Sequence, residues 1–151
     1  MDIDCTIGDG YLTVTENNIM IQSPNYPGNY PVNIDCQASI RYAPYYLVEV
    51  TIEDFKIRQN LGCSDYLRFR DSGNTNAGPN TYLTYKNPTT NNVFESFCGT
   101  SDSHQTYLPP GTKMRATSNL MELRFYSVLG QPTNSGFRVL VNAGKNTTII
   151  Y

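Results

Sequence analysis

Four cysteines, Cys5, Cys36, Cys63 and Cys98, are the residues of this chain best suited to chemistry, and each sits beside a strand-like run. None of their spacings approaches the Cys-x-x-Cys of a zinc knuckle or a redox site, which argues against metal ligation by cysteine. Thiols spread evenly through a modest domain form a disulfide framework instead, and that requires an oxidising compartment. Sequence alone leaves three pairings open. Bridged loops of this size contribute roughly 3–4 kcal/mol each in the chain-entropy model. The competing reading, four buried free thiols in a reducing compartment, runs against compartment logic.

Other reactive groups are sparse. His104 is the sole histidine and lies in the polar stretch Thr100-Ser101-Asp102-Ser103-His104. General-base or nucleophilic catalysis needs a base oriented by a third group. These side chains are too close along the chain to be evidence of a triad, and local loop chemistry explains them. Glu53-Asp54 needs nothing beyond an exposed strand end, and oxidised cysteines are not nucleophiles. The expectation is a non-catalytic protein without a cofactor.

The elements that carry these residues are short. At 151 residues the chain fits one domain with a real core, which disulfides reinforce rather than replace. It contains 12 tyrosines and no tryptophan. A net charge of −2, from 11 basic and 13 acidic residues well interspersed, advertises no nucleic-acid or anionic-membrane partner. No apolar run reaches the roughly 20 residues that span a bilayer, so membrane insertion is not expected. The opening Met1-Asp2-Ile3-Asp4 has no apolar leader core. Secretion then implies a leader already removed. Asn146-Thr147-Thr148 is a glycosylation sequon, in keeping with an extracellular setting.

Hydrophobic periodicity is two nearly throughout. In Leu47–Ile52 the residues Val48, Val50 and Ile52 share one face, and Leu47, Glu49 and Thr51 share the other. Similar runs occur at 19–21, 38–42, 66–69, 92–97, 113–116, 120–125 and 136–141. Turn chemistry at Ser23–Gly28, Pro109-Pro110-Gly111 and Gly130-Gln131-Pro132 separates them. Eight or more short strands with frequent turns and no amphipathic helix predict an all-β fold, a two-sheet sandwich or jelly roll, spanning 1–151 as a single domain. From about 71 to 92 the chain turns rich in Asn, Thr, Gly and Pro, around the apolar island Tyr82–Tyr85. That predicts a long loop insertion, with room for a short extra hairpin.

These motifs together resemble a CUB domain. Ser23-Pro24-Asn25-Tyr26-Pro27-Gly28-Asn29-Tyr30-Pro31 followed by Cys36 is similar to its first half. Phe55 leading into Cys63, the start Asp65-Tyr66-Leu67, and Phe97-Cys98-Gly99 follow in the family's order. So do Leu123–Ser127 and Gly136–Val139. The resemblance runs from about Cys5 to Val141. It implies a disulfide-bonded jelly roll with the sequential pairing Cys5–Cys36 and Cys63–Cys98. It also implies an extracellular binding module of the kind found beside proteases, complement components or receptors.

Many CUB modules bind Ca²⁺ through carboxylates at one end of the sandwich. Calcium wants six to eight oxygens, so carboxylates must converge. The family pattern places a Glu five residues before the third cysteine, an Asp three after it, and an Asp after the Phe-x-Ser run. Here those positions hold Arg58, an Asp65 one residue closer to Cys63, and Val128. No calcium is expected at this site. Either Arg58 replaces the ion with a guanidinium paired to Asp65, or it points to solvent.

The expected function is protein–protein interaction, with another extracellular protein or a second copy of this chain. Tyr26 and Tyr30 in the first turn and Tyr82 and Tyr85 in the insertion are the candidate contacts, with Arg58 and Asp65 at the loop end. Alternatives are spermadhesin-like glycan binding, which the missing tryptophan weakens, and a structural spacer beside a catalytic domain.

Overall fold

The computed structural model describes residues 1–5, 12–60, 62–73, 81–130 and 134–145. The glycosylation candidate Asn146 lies outside the described residues. Among the described residues there are ten strands, β1 (Leu12–Val14), β2 (Ile19–Gln22), β3 (Ile34–Arg41), β4 (Tyr46–Lys56), β5 (Tyr66–Arg70), β6 (Tyr85–Lys86), β7 (Val93–Phe94), β8 (Lys113–Arg115), β9 (Leu120–Ser127) and β10 (Gly136–Lys145). One sheet runs β1-β3-β9-β5 and the other β2-β10-β4-β8. Between these strands all pairings are antiparallel except β1 with β3 at one edge. This is the two-sheet sandwich that the alternation predicts.

Alternation explains the core directly. Val48, Val50 and Ile52 from β4 and Val139 and Val141 from β10 meet Cys36, Ala38, Ile40, Leu67, Phe69, Leu123 and Phe125 from the facing sheet. Within it, the Phe125 ring stands edge-on to Tyr30 at 4.9 Å and to Phe137 at 5.2 Å. Such aromatic pairs add about 0.5–1.5 kcal/mol beyond their burial. On the opposite face of β4, Glu49 is covered by Arg115 at 2.6 Å and Lys113 at 3.6 Å. Arg115, as hydrogen-bond donor, holds the Glu49 carboxyl below its ordinary range, against the opposing effect of burial.

Both expected disulfides are present. Cys5–Cys36 ties the N-terminal segment to β3, and Cys63–Cys98 ties the approach to β5 to the segment after β7.

Residues 74–80 of the insertion lie outside the described residues; its described parts, 71–73 and 81–92, are paired and turned. Asp71 N–H donates to Thr81 O at 2.8 Å and Leu83 N–H to Phe69 O at 2.7 Å, so the returning chain pairs along the β5 edge. A hairpin of β6 and β7 follows. Its turn is closed by the Asn87 side chain, which accepts from Thr89 N–H at 2.9 Å and Thr90 N–H at 3.0 Å. The run 92–97 is thus divided: Val93 and Phe94 belong to the hairpin, while Phe97 bridges to Leu67.

Candidate functional site

At one end of the sandwich, three residues singled out from sequence converge: Tyr30, Arg58 and Asp65. Their elements explain why. Tyr30 ends the Pro- and Gly-rich turn after β2, and Arg58 follows β4. Asp65 immediately precedes β5, two residues beyond the Cys63–Cys98 bridge.

Asp65 is 0% exposed and both of its oxygens are filled. Oδ1 accepts from Arg58 Nη2 at 2.9 Å and from Val128 N–H at 3.0 Å, and Oδ2 accepts from the Tyr30 hydroxyl at 2.7 Å. The Tyr30 oxygen in turn accepts from Arg58 N–H at 3.0 Å. Arg58 Nη2 also donates to Val128 O at 3.3 Å, so one guanidinium joins the β5 approach to the end of β9. Arg58 is 8% exposed and does not point to solvent. The hydrogen bond to Asp65 holds its pKa above the ordinary value, outweighing desolvation. Burial, then the hydrogen bond to Asp65, raises the Tyr30 phenol.

These residues do not fit a calcium ion. Asp65 is the sole carboxylate among them, and a cation already occupies its Oδ1 side. Among the described residues no cluster of three His, Cys, Asp or Glu could ligate a metal. The arrangement instead supplies a fixed internal positive charge that joins three chain segments.

Tyr30 is corrected as a contact candidate. It is 1% exposed, with its ring in the core and its hydroxyl spent on Asp65. Tyr26 is half-buried and donates to Asp54 at 2.7 Å; burial first and that bond second raise its pKa. Tyr82 and Tyr85 are each half-buried and lie in different surroundings. Tyr82 covers the Arg68 guanidinium at 4.7 Å. Tyr85 lines a cleft of about 250 Å³ with Asn87, Asp102, His104 and Tyr107. There the His104 Nδ1 accepts from Thr100 N–H at 3.2 Å, which braces a turn. Ser101 and Ser103 hydroxyls bond to each other at 2.7 Å.

Sequence reasoning missed the outward face of β3, β9 and β5. Tyr66 stacks on Tyr126 at 5.4 Å, Arg68 faces Arg124, and Arg70 pairs with Glu122 at 2.8 Å. Arg124 grips Asp35 through Nε at 3.0 Å and Nη2 at 2.8 Å. The polar halves of Tyr66-Leu67-Arg68-Phe69-Arg70 and Glu122-Leu123-Arg124-Phe125-Tyr126 carried that signal.

A family model described as CUB domain matches residues 9–84. Cubilin of Sus scrofa is 32% identical over 133 residues, which cover 87% of this chain and 3% of that protein. Signal peptide, CUB and EGF-like domain-containing protein 2 of Danio rerio is 39% identical over 66 residues, 44% of this chain and 6% of that protein. The chain thus spans a small fraction of the curated relatives it matches. Among solved structures, the CUB1-EGF-CUB2 region of human MASP-1/3 superposes with a TM-score of 0.66 at 20% identity, covering 88% of this chain and 43% of that one. The MASP-1 CUB2 domain bound to Ca²⁺ gives 0.61 at 22% identity, covering 87% and 97%. At these identities the structural likeness speaks for the fold.

Proposed function

The chain belongs to the CUB domain family, and from that premise we propose that it is an extracellular, non-catalytic protein-binding module whose docking does not depend on calcium. The observation that carries this reading is the filled carboxylate of Asp65, which takes three hydrogen bonds from the protein's own groups. A loop end held by Arg58 is already organised, so binding loses no affinity to ordering it and needs no free ion. The disulfide framework supports an oxidising, extracellular setting. Half-exposed Tyr82 and Tyr85 are contacts of a type enriched at protein interfaces.

Glycan binding is a second reading, favoured by the polar, aromatic cleft around Tyr85, Tyr107 and His104. The test is a screen of immobilised protein against a panel of extracellular ectodomains, run in chelator and in calcium, beside a glycan array. The proposal expects a saturable protein ligand with equal affinity in both buffers and a blank glycan array. Binding that vanishes in chelator overturns calcium independence, and binding to glycans alone overturns the protein-binding role.

A further inference from the structure

The outward face of β3, β9 and β5 concentrates Arg41, Arg68, Arg70 and Arg124 on a chain of net negative charge. Asp35 and Glu122 share the face and are engaged, by Arg124 and Arg70 respectively, and Asp4 lies at its β3 edge, bridged to Gln37. Arg68 is different. Its guanidinium lies between the Tyr66 ring at 4.5 Å and the Tyr82 ring at 4.7 Å. Nε and Nη2 both donate to Ser96 Oγ, at 3.1 and 2.7 Å. Among the described residues Arg68 forms no ion pair. Two aromatic faces and a hydroxyl therefore hold a cation in one geometry without neutralising it.

Beside it is a depression of about 90 Å³ lined by Arg68, Arg70, Arg124, Gln37, Tyr82 and Glu122. That is space for several water-sized groups, enough to admit a carboxylate. The outer edge of β5 is already paired, Leu67 with Phe97 and Arg70 with Tyr82. A partner cannot add a strand there and must read the face through side chains. A pre-ordered arginine flanked by tyrosines is the composition of an interface hot spot, and with the Nε side of the fork held by Ser96, its Nη1/Nη2 edge offers a carboxylate paired N–H donors.

We propose that this face docks an acidic segment of a partner protein, with Arg68 anchoring an Asp or Glu carboxylate and Tyr66 and Tyr82 flanking it. The proposal rests on the protein-binding reading and deepens it by naming the surface and the chemistry of the partner.

The probe is a labelled glutamate-rich peptide, compared with its glutamine counterpart and with a heparin-derived sulfated oligosaccharide. Binding is followed by amide chemical shifts and by anisotropy at low and high salt. The expected result is a shift pattern centred on β5, β9 and Tyr82 for the glutamate peptide alone. Its affinity falls with salt and weakens roughly tenfold in Arg68→Gln, the loss of one charge-assisted contact. Arg115→Gln, on the other sheet, binds as the parent does, and melting curves check that both variants fold. Shifts at the Arg58 end, equal binding by the glutamine peptide, or an unaltered Arg68→Gln overturn the proposal. So does binding of the oligosaccharide in place of the peptide. The ectodomain screen uses neither this probe nor this variant, so a failure here leaves the module reading to be judged separately.

Discussion

Arg58 and Asp65, seven residues apart in sequence, form a buried ion pair at 2.9 Å that also reaches Val128, so one guanidinium fastens three loops at the end of the sandwich. Burying two charges is costly unless their remaining hydrogen-bonding capacity is met. For Asp65 it is met by Tyr30 and Val128, which makes the pair part of a network rather than an isolated contact.

Tyr30→Phe should therefore destabilise the domain although the ring keeps its place against Phe125. The substitution leaves Asp65 Oδ2 and Arg58 N–H without a partner at once. Each buried group so orphaned costs about 1–3 kcal/mol. Urea unfolding should show a loss of at least about 2 kcal/mol with an unchanged slope; a neutral result would mean that the hydroxyl is not integral to the network.

Alkaline stability follows from the buried phenols. Burial pushes Tyr42 up to about 12, and Tyr30 is raised as well. Tyrosines of the unfolded chain titrate near about 10. Above that pH the folded state binds more protons than the unfolded one, so stability falls as pH rises. The contribution is complete below pH ~10 and is lost as pH climbs toward the folded value. Tyrosinate absorbance should show late-titrating phenols, and Tyr42→Phe should flatten the decline in unfolding free energy. Uniform titration near pH 10 in a protein that stays folded would contradict this.

Much of the fold was legible because alternation is visible in sequence. Val48, Val50 and Ile52 announced a half-buried strand, and the cysteine order, read through the CUB resemblance, gave the pairing. The charge reversal at Arg58 with Asp65 retained left two readings, an internal pair or a solvent-facing cation, because sequence does not say which way the Arg58 side chain turns. Tyr30 misled because a turn rich in Pro, Asn and Gly reads as surface, while the core has a gap beside Phe125 that its ring fills. Pairing at Thr81–Leu83 was invisible because it depends on the chain returning to the β5 edge, a tertiary event. The Arg68–Tyr82 stack depends on the same return.

Removing the second disulfide tests how the Asp65 loop is positioned. Cys63→Ala with Cys98→Ala opens a loop of 35 residues. Stability should drop by roughly 3–4 kcal/mol, the chain-entropy contribution for that length. Amide exchange around Asp65 and Val128 should quicken more than exchange in β10. Equal acceleration throughout would mean that the bridge has no local role.

Two glycines separate backbone strain from steric overlap. Gly111 has φ +91° and open space where a side chain would sit, so Gly111→Ala should cost about 1–2 kcal/mol, the left-handed penalty alone. Gly136 has φ +88°, and an added methyl would run into the buried Ser23 side chain. That serine is fixed by hydrogen bonds from Phe137 N–H at 3.0 Å and to Ser135 O at 3.1 Å. Gly136→Ala should cost more than Gly111→Ala in thermal unfolding. Equal losses would show that the Ser23 contact relaxes freely.

Whether this loop end is organised by an internal cation instead of calcium is decided most directly by calorimetry. Melting temperatures would be compared for chelator-stripped parent and Arg58→Ala, each without and with millimolar calcium. Truncating Arg58 leaves a buried carboxylate uncompensated, worth about 3 kcal/mol. At about 2–4 °C per kcal/mol for a chain of this size, the variant should melt roughly 6–12 °C lower, while the parent ignores calcium. A parent stabilised by calcium, or an Arg58→Ala variant that melts with it, would contradict the account.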